Sequence, residues 1–392
     1  MTPSLLIDAT RLLDRALQGK RPTGVDRVGL AYVGHFACDE TRFRQRARAL
    51  LRFAGRWVVF GEADSRCLFD WLLASDARQA NRIRRLVGRA YALNWRQAEP
   101  GSILINTGHS GLDGADYAER VRRYGLRPLY FLHDLIPITF PEYGRPGEAE
   151  RHRCRLSTML TTAHGLIVNS AATGRELEAH AARLGVAVPP WMVAHLAPPG
   201  FPPPLPRRSI PEPYFVVLGT IEPRKNHLLL LKLWRRMVEE LGQHAPRLVV
   251  IGQRGWECEQ VVDMLDRCEA LKGIVIEMPG CDDAALATWL HHAQALLFPS
   301  FAEGYGIPLV EALSLGTPVI ASDLPVFREL AGDIPDYLDP LDGMGWRQAV
   351  LGYASDNSPR REAQKARMAA WRAPGWDAHF EKVEAFMARC FG

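Results

Sequence analysis

The chain has 392 residues, 47% hydrophobic and 23% charged, with a net charge of +4, a balance typical of globular proteins and a length that suits two domains. No apolar run approaches the roughly 20 residues that span a bilayer. Met1-Thr-Pro-Ser-Leu-Leu-Ile-Asp8 lacks the basic start and long apolar stretch of a signal peptide, so the expected location is the cytoplasm.

Seven scattered cysteines without a C-x-x-C pair argue against a zinc site or a disulfide framework. Charge is unevenly spread: residues 1–205 hold 28 Lys and Arg against 19 Asp and Glu, leaving 20 against 25 for the rest. Arginines crowd at Arg42, Arg44, Arg46, Arg48, Arg52 and Arg56, and again at Arg82, Arg84, Arg85 and Arg89. These runs read as solvated helix faces or as a basic face for anionic lipid headgroups, hence an expected peripheral contact with the inner face of the cell membrane. No helix-turn-helix, zinc-finger or RNA-recognition pattern occurs, and no nucleic-acid partner is expected.

Along the first half, short apolar runs at 5–9, 58–60, 103–106, 129–132 and 166–168 alternate with longer helical patterns. Residues 198–213 then carry eight prolines in sixteen positions, a stretch that can be neither helix nor central strand and reads as a linker. Beyond it the runs resume at 215–218, 248–251, 274–276, 295–298 and 319–321. The alternation predicts an α/β protein with two open parallel sheets wrapped by helices. Ligands of such sheets bind beyond the carboxyl ends of the strands, so the loops after each run are the places to look. The segments 60–76 and 108–116 read as loops of no decodable pattern, and the last segment, from Trp376, as an amphipathic closing helix.

Two of those strand-end loops carry chemistry. After the strand at 215–218 comes Gly219-Thr220-Ile-Glu-Pro-Arg224-Lys225-Asn226, a glycine turn and two adjacent cations ahead of a helix, suited to a diphosphate. After the strand at 295–298 comes Pro299-Ser-Phe-Ala-Glu303-Gly304-Tyr305-Gly306-Ile-Pro308-Leu-Val-Glu311. Here two carboxylates stand eight positions apart across a Gly-x-Gly turn, and Pro308 fits the first turn of a helix. The glycines let backbone N–H groups face an anion.

These motifs resemble the C-terminal domain of retaining glycosyltransferases of the GT-B fold, in the large family four. That family's E-x7-E motif, Glu-Ala helix and Gly-x-Pro-Val-Ile strand are matched by Glu303, Glu311-Ala312 and Gly316-Thr-Pro318-Val-Ile320, in order with Val249-Val-Ile-Gly252 and Phe298-Pro-Ser300. The first half is similar at three places. These are Pro22-Thr-Gly24-Val-Asp26-Arg27, Phe131-Leu-His133-Asp134, and Gly165-Leu-Ile-Val-Asn169-Ser170.

The resemblance implies two Rossmann-like doubly wound domains facing a cleft. The expected boundaries are 1–205 for an acceptor-binding domain, 206–370 for a nucleotide-sugar-binding domain, and 371–392 for a helix that packs back on the first domain. It implies that Lys225 and Arg224 neutralise the leaving diphosphate, that Glu303 and His133 contact the donor sugar, and that Glu311 holds the ribose diol. Gly24, Gly219, Thr220, Gly252, Gly304, Tyr305 and Gly306 are the implied donor-binding positions. Asp134 reads as a turn former, His109 as outside the chemistry, and Ser300 either as a turn cap or as part of the site.

The implied activity is metal-independent transfer of a hexose, with retention, from a nucleotide-diphosphate sugar to a saccharide or polyprenyl-diphosphate-linked acceptor in surface polysaccharide synthesis, with no cofactor. The Gly-Thr-x-Glu-Pro-Arg-Lys-Asn form resembles bacterial polysaccharide mannosyltransferases, which favours mannose and GDP-mannose. Many members carry an arginine where Thr220 stands; that departure leaves open a non-catalytic nucleotide-sugar-binding subunit. A nucleotide-sugar epimerase is the remaining alternative.

Overall fold

The computed structural model describes residues 4–38, 46–53, 55–74, 76–93 and 98–392. It divides into two compact units. One holds the described residues up to Ile138, then Gly147–Leu196 and Trp376–Gly392; the other holds Thr139–Pro146 and Ala197–Gly375. The proline-rich stretch 198–213, free of helix and strand, lies wholly in the second unit.

In the first unit seven strands are described: β1 (Leu5–Asp8), β2 (Ala47–Phe53), β3 (Arg56–Val59), β4 (Ile103–Asn106), β5 (Arg127–Leu132), β6 (Gly165–Val168) and β7 (Trp191–Val193). They form one sheet in the order β3-β2-β1-β4-β5-β6-β7. β1, β4 and β6 are buried along their length, which is why each reads as an apolar run, ended in β1 and β4 by Asp8 and Asn106. The expected all-parallel sheet needs one correction: β2 and β3 pair antiparallel, Leu50 opposite Val59. Only two residues separate them, too few for the crossover that a parallel pair requires.

The arginine run at 42–56 also differs from a solvated helix face. Arg42 and Arg44 lie outside the described residues. Arg48 and Arg52 lie on β2, where they pair with Glu62 at 3.2 Å and Asp8 at 3.0 Å. The segment 60–76 is largely helix, Glu62–Ala74, with Ser65, Leu68, Phe69 and Leu72 buried at helical spacing.

The helix Trp376–Phe391 closes the first unit. Tyr32 and His379 are buried and bonded at 3.0 Å, and Arg127 donates to the carbonyls of Cys390 and Phe391. A Cβ at Gly165 would come within 2.8 Å of Phe386, so this helix lies directly on β6.

The second unit's sheet is parallel throughout: β8 (Tyr214–Leu218), β9 (Arg247–Ile251), β10 (Val275–Met278), β11 (Leu296–Phe298), β12 (Val319–Ser322) and β13 (Asp336–Leu338). Their order is β10-β9-β8-β11-β12-β13. Trp234, Trp346 and Tyr353, all fully buried, anchor one face of its core. In each sheet the chain winds outward from a first strand and then reverses to the other side, at β1/β4 and at β8/β11. Such reversals open a crevice at the carboxyl ends of the strands, where ligands bind.

Candidate functional site

The two chemically loaded loops are those that leave β8 and β11, the pair that flanks the second unit's reversal point. Gly219 follows β8 at φ +137°, and the Lys225 side chain packs 3.3 Å from where its Cβ would stand. At the end of β9, a Cβ on Gly252 would fall 1.9 Å from the Gly219 carbonyl oxygen, so only glycine permits this approach of the two loops. A single helical turn, Pro223–Lys225, follows. Asn226 then turns left-handed at φ +56°, with its side-chain amide donating to the Pro340 carbonyl at 3.0 Å, and the helix His227–Leu241 begins.

From the other side, β11 delivers Ser300 and Glu303. The Lys225 ammonium lies 2.5 Å from Glu303 Oε1, and the Arg224 guanidinium lies 2.8 Å from Oε2. Ser300 Oγ donates to Oε1 at 2.8 Å. Arg224 also grips Glu222 at 2.6 Å and donates to the Ala302 carbonyl. The Phe301 N–H donates to the Arg224 carbonyl at 2.8 Å, which ties the two loops together. Two cations and two carboxylates are thus interlocked, with Lys225 and Glu222 7% and 5% exposed.

Burial alone would raise the Glu303 carboxyl, yet Arg224 and Lys225 draw it down to about 2. Burial lowers the Lys225 ammonium, against the attraction of Glu303. Glu222 is raised by burial, a shift that Arg224 opposes. His227, next to this cluster, has both ring nitrogens buried and without a hydrogen bond; burial and the Lys225 charge lower it to about 3.

Glu303 is followed by Gly304 and Tyr305, then Gly306 at φ +101°, where a Cβ would meet Phe327 at 2.6 Å. The helix Ile307–Ser314 starts there, with Pro308 in its first turn and Glu311 on its buried side, 6% exposed. Thr220 is exposed beside Gly219. The structure therefore gathers Arg224, Lys225 and Glu303 with Ser300 and Glu222. Glu222 does not stand out in the sequence, although its place two residues before Arg224 at a strand-end turn is a usable signal.

In the first unit, His133 and His109 follow β5 and β4, their rings 5.1 Å apart. His133 Nε2 lies 2.7 Å from the Thr107 carbonyl and His109 Nε2 lies 2.7 Å from that of Phe131. A carbonyl can only accept, so Nε2 carries the proton in both rings and Nδ1 of a neutral ring is left as the acceptor. Burial lowers both imidazoles, which favours that neutral form. Asp134 accepts from the Ile136 N–H at 3.1 Å, a turn-forming role.

Gly24 opens the helix Gly24–Val33. Asp26 there is buried and holds the Thr23 amide and hydroxyl at 2.7 Å, with Arg11 at 2.8 Å and Arg15 at 2.7 Å. It is a helix cap held by two arginines. Ser170 caps the helix Ala171–Leu184, its hydroxyl accepting from the Thr173 N–H. Among the described residues no group of three or more His, Cys, Asp or Glu side chains is arranged to hold a metal, and no helix is long and apolar enough to cross a membrane.

Residues 207–334 match the family model described as glycosyl transferases group 1. The chain is 28% identical over 230 residues to the serotype-specific mannosyltransferase WbdA of Escherichia coli, a match covering 54% of this chain and 28% of that protein. It is 30% identical over 164 residues to the Escherichia coli O-antigen chain mannosyltransferase B, covering 42% of each. The matches thus span less than half the length of these curated relatives.

Among solved structures, Anabaena Alr3699/HepE in complex with UDP and glucose aligns with a TM-score of 0.64 at 13% identity, covering 99% of this chain and 100% of that one. The sucrose-phosphate synthase of Thermosynechococcus elongatus gives 0.62 at 16%, covering 100% and 99%. At such identities the likeness is one of fold. Residues 207–334 are therefore similar to group 1 glycosyl transferases, in a chain whose fold is GT-B.

Proposed function

We propose that the chain is a retaining, metal-independent glycosyltransferase that moves a hexose, with mannose and GDP-mannose favoured, from a nucleotide-diphosphate sugar to a saccharide or lipid-linked saccharide acceptor in surface polysaccharide synthesis. The observation that carries this reading is the Arg224–Lys225–Glu303 cluster at the second sheet's reversal point. The mannosyltransferase relatives support the choice of sugar.

Glycosyl transfer sheds negative charge onto the departing diphosphate while the sugar carbon becomes cationic. Fixed cations aimed at that charge lower the barrier, and their preorganisation in a half-dry site is what makes them effective. Arg224 and Lys225 are already oriented by Glu303, Glu222 and the Ala302 carbonyl. A diphosphate arriving at this crevice competes for both cations, which frees Glu303 to accept from sugar hydroxyls. His133, the other residue that the family resemblance assigns to the donor sugar, has Nδ1 left as an acceptor for such a hydroxyl.

The diphosphate oxygen, on the same face as the incoming acceptor, takes the acceptor proton, so no second carboxylate is needed as a nucleophile. In the proposed arrangement the domain spanning 206–370 binds the donor and residues 1–205 bind the acceptor. The test is hydrolysis or transfer with a panel of nucleotide sugars by the purified protein, with Lys225→Ala as control. Turnover that survives Lys225→Ala undiminished would refute the catalytic assignment, and binding of the donor without turnover would favour a non-catalytic subunit.

A further inference from the structure

A short piece of the second unit comes from elsewhere in the chain. Thr139–Pro146 are flanked on both sides by residues of the first unit, yet they pack with the second. The piece is little more than one helical turn, Pro141–Tyr143, in which the N–H groups of Tyr143 and Gly144 donate at 3.1 Å to the carbonyls of Phe140 and Pro141. Neither bond leaves the segment, so other contacts must hold it in place.

Tyr143 touches two loops at once. Its ring lies nearly parallel to that of Phe301, with 12° between the planes and 5.8 Å between the centres. Its carbonyl accepts from Trp256 Nε1 at 3.1 Å, and the Arg145 guanidinium stands 5.0 Å from the centre of the Trp256 ring. The Tyr143 hydroxyl bonds to none of the described residues.

Each of those loops fixes one end of the stretch that leads into the cations. The Phe301 N–H holds the Arg224 carbonyl at 2.8 Å. In the loop after β9, the Gln253 carbonyl accepts from the Ile221 N–H at 2.9 Å, and the Gly255 N–H donates to the Ile221 carbonyl at 3.0 Å. A Cβ at Gly255 would fall 2.5 Å from that same oxygen, so this loop lies as close as glycine allows, with Trp256 next in the chain. Between the two anchored residues stands Glu222, whose carboxylate grips Arg224. Both anchors lead outward to Tyr143, and a residue that bridges two loops resists their separation.

We propose that Thr139–Pro146 is a brace for the cation cluster, with Tyr143 and Trp256 as positioning residues, and that closing of the brace is linked to binding of a diphosphate at Arg224 and Lys225. The link to a diphosphate rests on the glycosyl-transfer reading above; the brace rests on the contacts alone. The stack, the hydrogen bond and the cation–π contact are each worth about two- to tenfold in an equilibrium. That is small against the ordering of a whole segment, so the brace opens and closes in the native protein. A ligand that needs the loops in place shifts it toward the closed form, and the linkage is reciprocal.

Hydrogen exchange and titration calorimetry on the full chain read both sides of that linkage, with GDP and, in parallel, UDP as probes. Saturating nucleotide should slow amide exchange across 139–147 about threefold or more in the unaltered protein, a result that needs no variant. Tyr143→Ala should speed exchange across 221–226 and 299–303 and weaken nucleotide binding about fivefold, whereas Tyr143→Phe, which keeps the stack, should match the parent. Trp256→Phe removes the N–H and should cost about threefold. The double variant Tyr143→Ala/Trp256→Phe should lose less than the product of the two, because both side chains act through one segment.

Exchange across 139–147 that a bound nucleotide leaves unchanged would overturn the proposal. So would parent-like binding by Tyr143→Ala, a loss in Tyr143→Phe equal to that in Tyr143→Ala, or fully multiplicative losses. If neither nucleotide binds and no nucleotide sugar is hydrolysed, the transferase reading fails. Faster exchange across 221–226 and 299–303 in Tyr143→Ala then still sustains the brace, and unchanged exchange there overturns it.

Discussion

Replacing Lys225 with methionine removes the ammonium and keeps the volume that packs beside Gly219 and 4.9 Å from the Phe298 ring centre. The size of the effect follows from Glu303. Its carboxyl, which burial would raise, is held at about 2 instead of 4.5, a depression worth about 3 kcal/mol at about 1.4 kcal/mol per unit. One cation serves each oxygen and the burial that raises the carboxyl stays in the variant, so more than half of this, about 2 kcal/mol, should leave with Lys225.

A carboxyl with a depressed pKa adds stability above its unfolded value near 4.5 and loses it as the pH falls toward 2. The variant's carboxyl titrates closer to 4.5, so the gap between variant and parent should be widest near neutrality and close on acidification. Loss of the Lys225 charge also removes a desolvation cost, but that part is constant across the acid range because the lysine stays protonated there.

Urea unfolding followed by the fluorescence of the buried Trp234 and Trp346, from about pH 3 to about pH 7, measures the gap. A gap that stays flat across this range would refute the reasoning. So would Glu303→Gln costing as much in the Lys225→Met background as in the parent, since the two side chains would then not be coupled.

Glu303→Ala should mainly lower turnover, by about a hundredfold, whereas Glu311→Ala should mainly weaken nucleotide binding; steady-state kinetics beside nucleotide titration separates them, and equal losses of turnover alone would contradict the division of roles. His227→Leu should make the protein less acid-sensitive: the unfolded histidine takes a proton below about 6.5 and the folded one only near 3. The parent therefore loses about 2 kcal/mol by about pH 5 that the variant keeps, as unfolding at about pH 5 and about pH 7 would show. Gly252→Ala should displace the loops after β8 and β9, costing about 1–3 kcal/mol and weakening nucleotide binding, because its methyl would overlap the Gly219 carbonyl; an unchanged melting temperature and affinity would remove the steric argument.

The second unit's candidate site is legible in the sequence because its residues are contiguous. Glu303, Gly304, Gly306, Pro308 and Glu311 lie in one stretch, and a strand end, a glycine and two cations precede the helix at His227. Short buried strands announced themselves as apolar runs, including β4 at its observed bounds. What could not be read was pairing across long separations. Arg52 looked like part of a basic run, yet it meets Asp8 forty-four positions earlier. Arg48 and Arg52 share a side of β2 with the buried Leu50, which is possible because Glu62 and Asp8 reach them there, and only the fold supplies those carboxylates. β7 and β13 are three residues each and only half-buried, so no apolar run of the kind that marks the equally short β11 announces them. The helix Glu62–Ala74 did carry a signal, the apolar residues Leu68, Phe69, Trp71 and Leu72, masked by the charges between.

Neither unit is one uninterrupted length of chain. The polypeptide leaves the first at Ile138, returns at Gly147, leaves again after Leu196 and returns only at Trp376. During synthesis, at about 5–20 residues per second, the first unit's sheet is complete roughly 10 to 40 seconds before the helix that covers Gly165 and bonds Tyr32 emerges from the ribosome. For that interval the flank of β6 and the aromatic group around Tyr32 and Phe36 stand uncovered while the second unit is being made. Nascent chains arrested before Trp376 should therefore be the species that chaperones and proteases engage, and a late stall would be costlier to this protein than an early one.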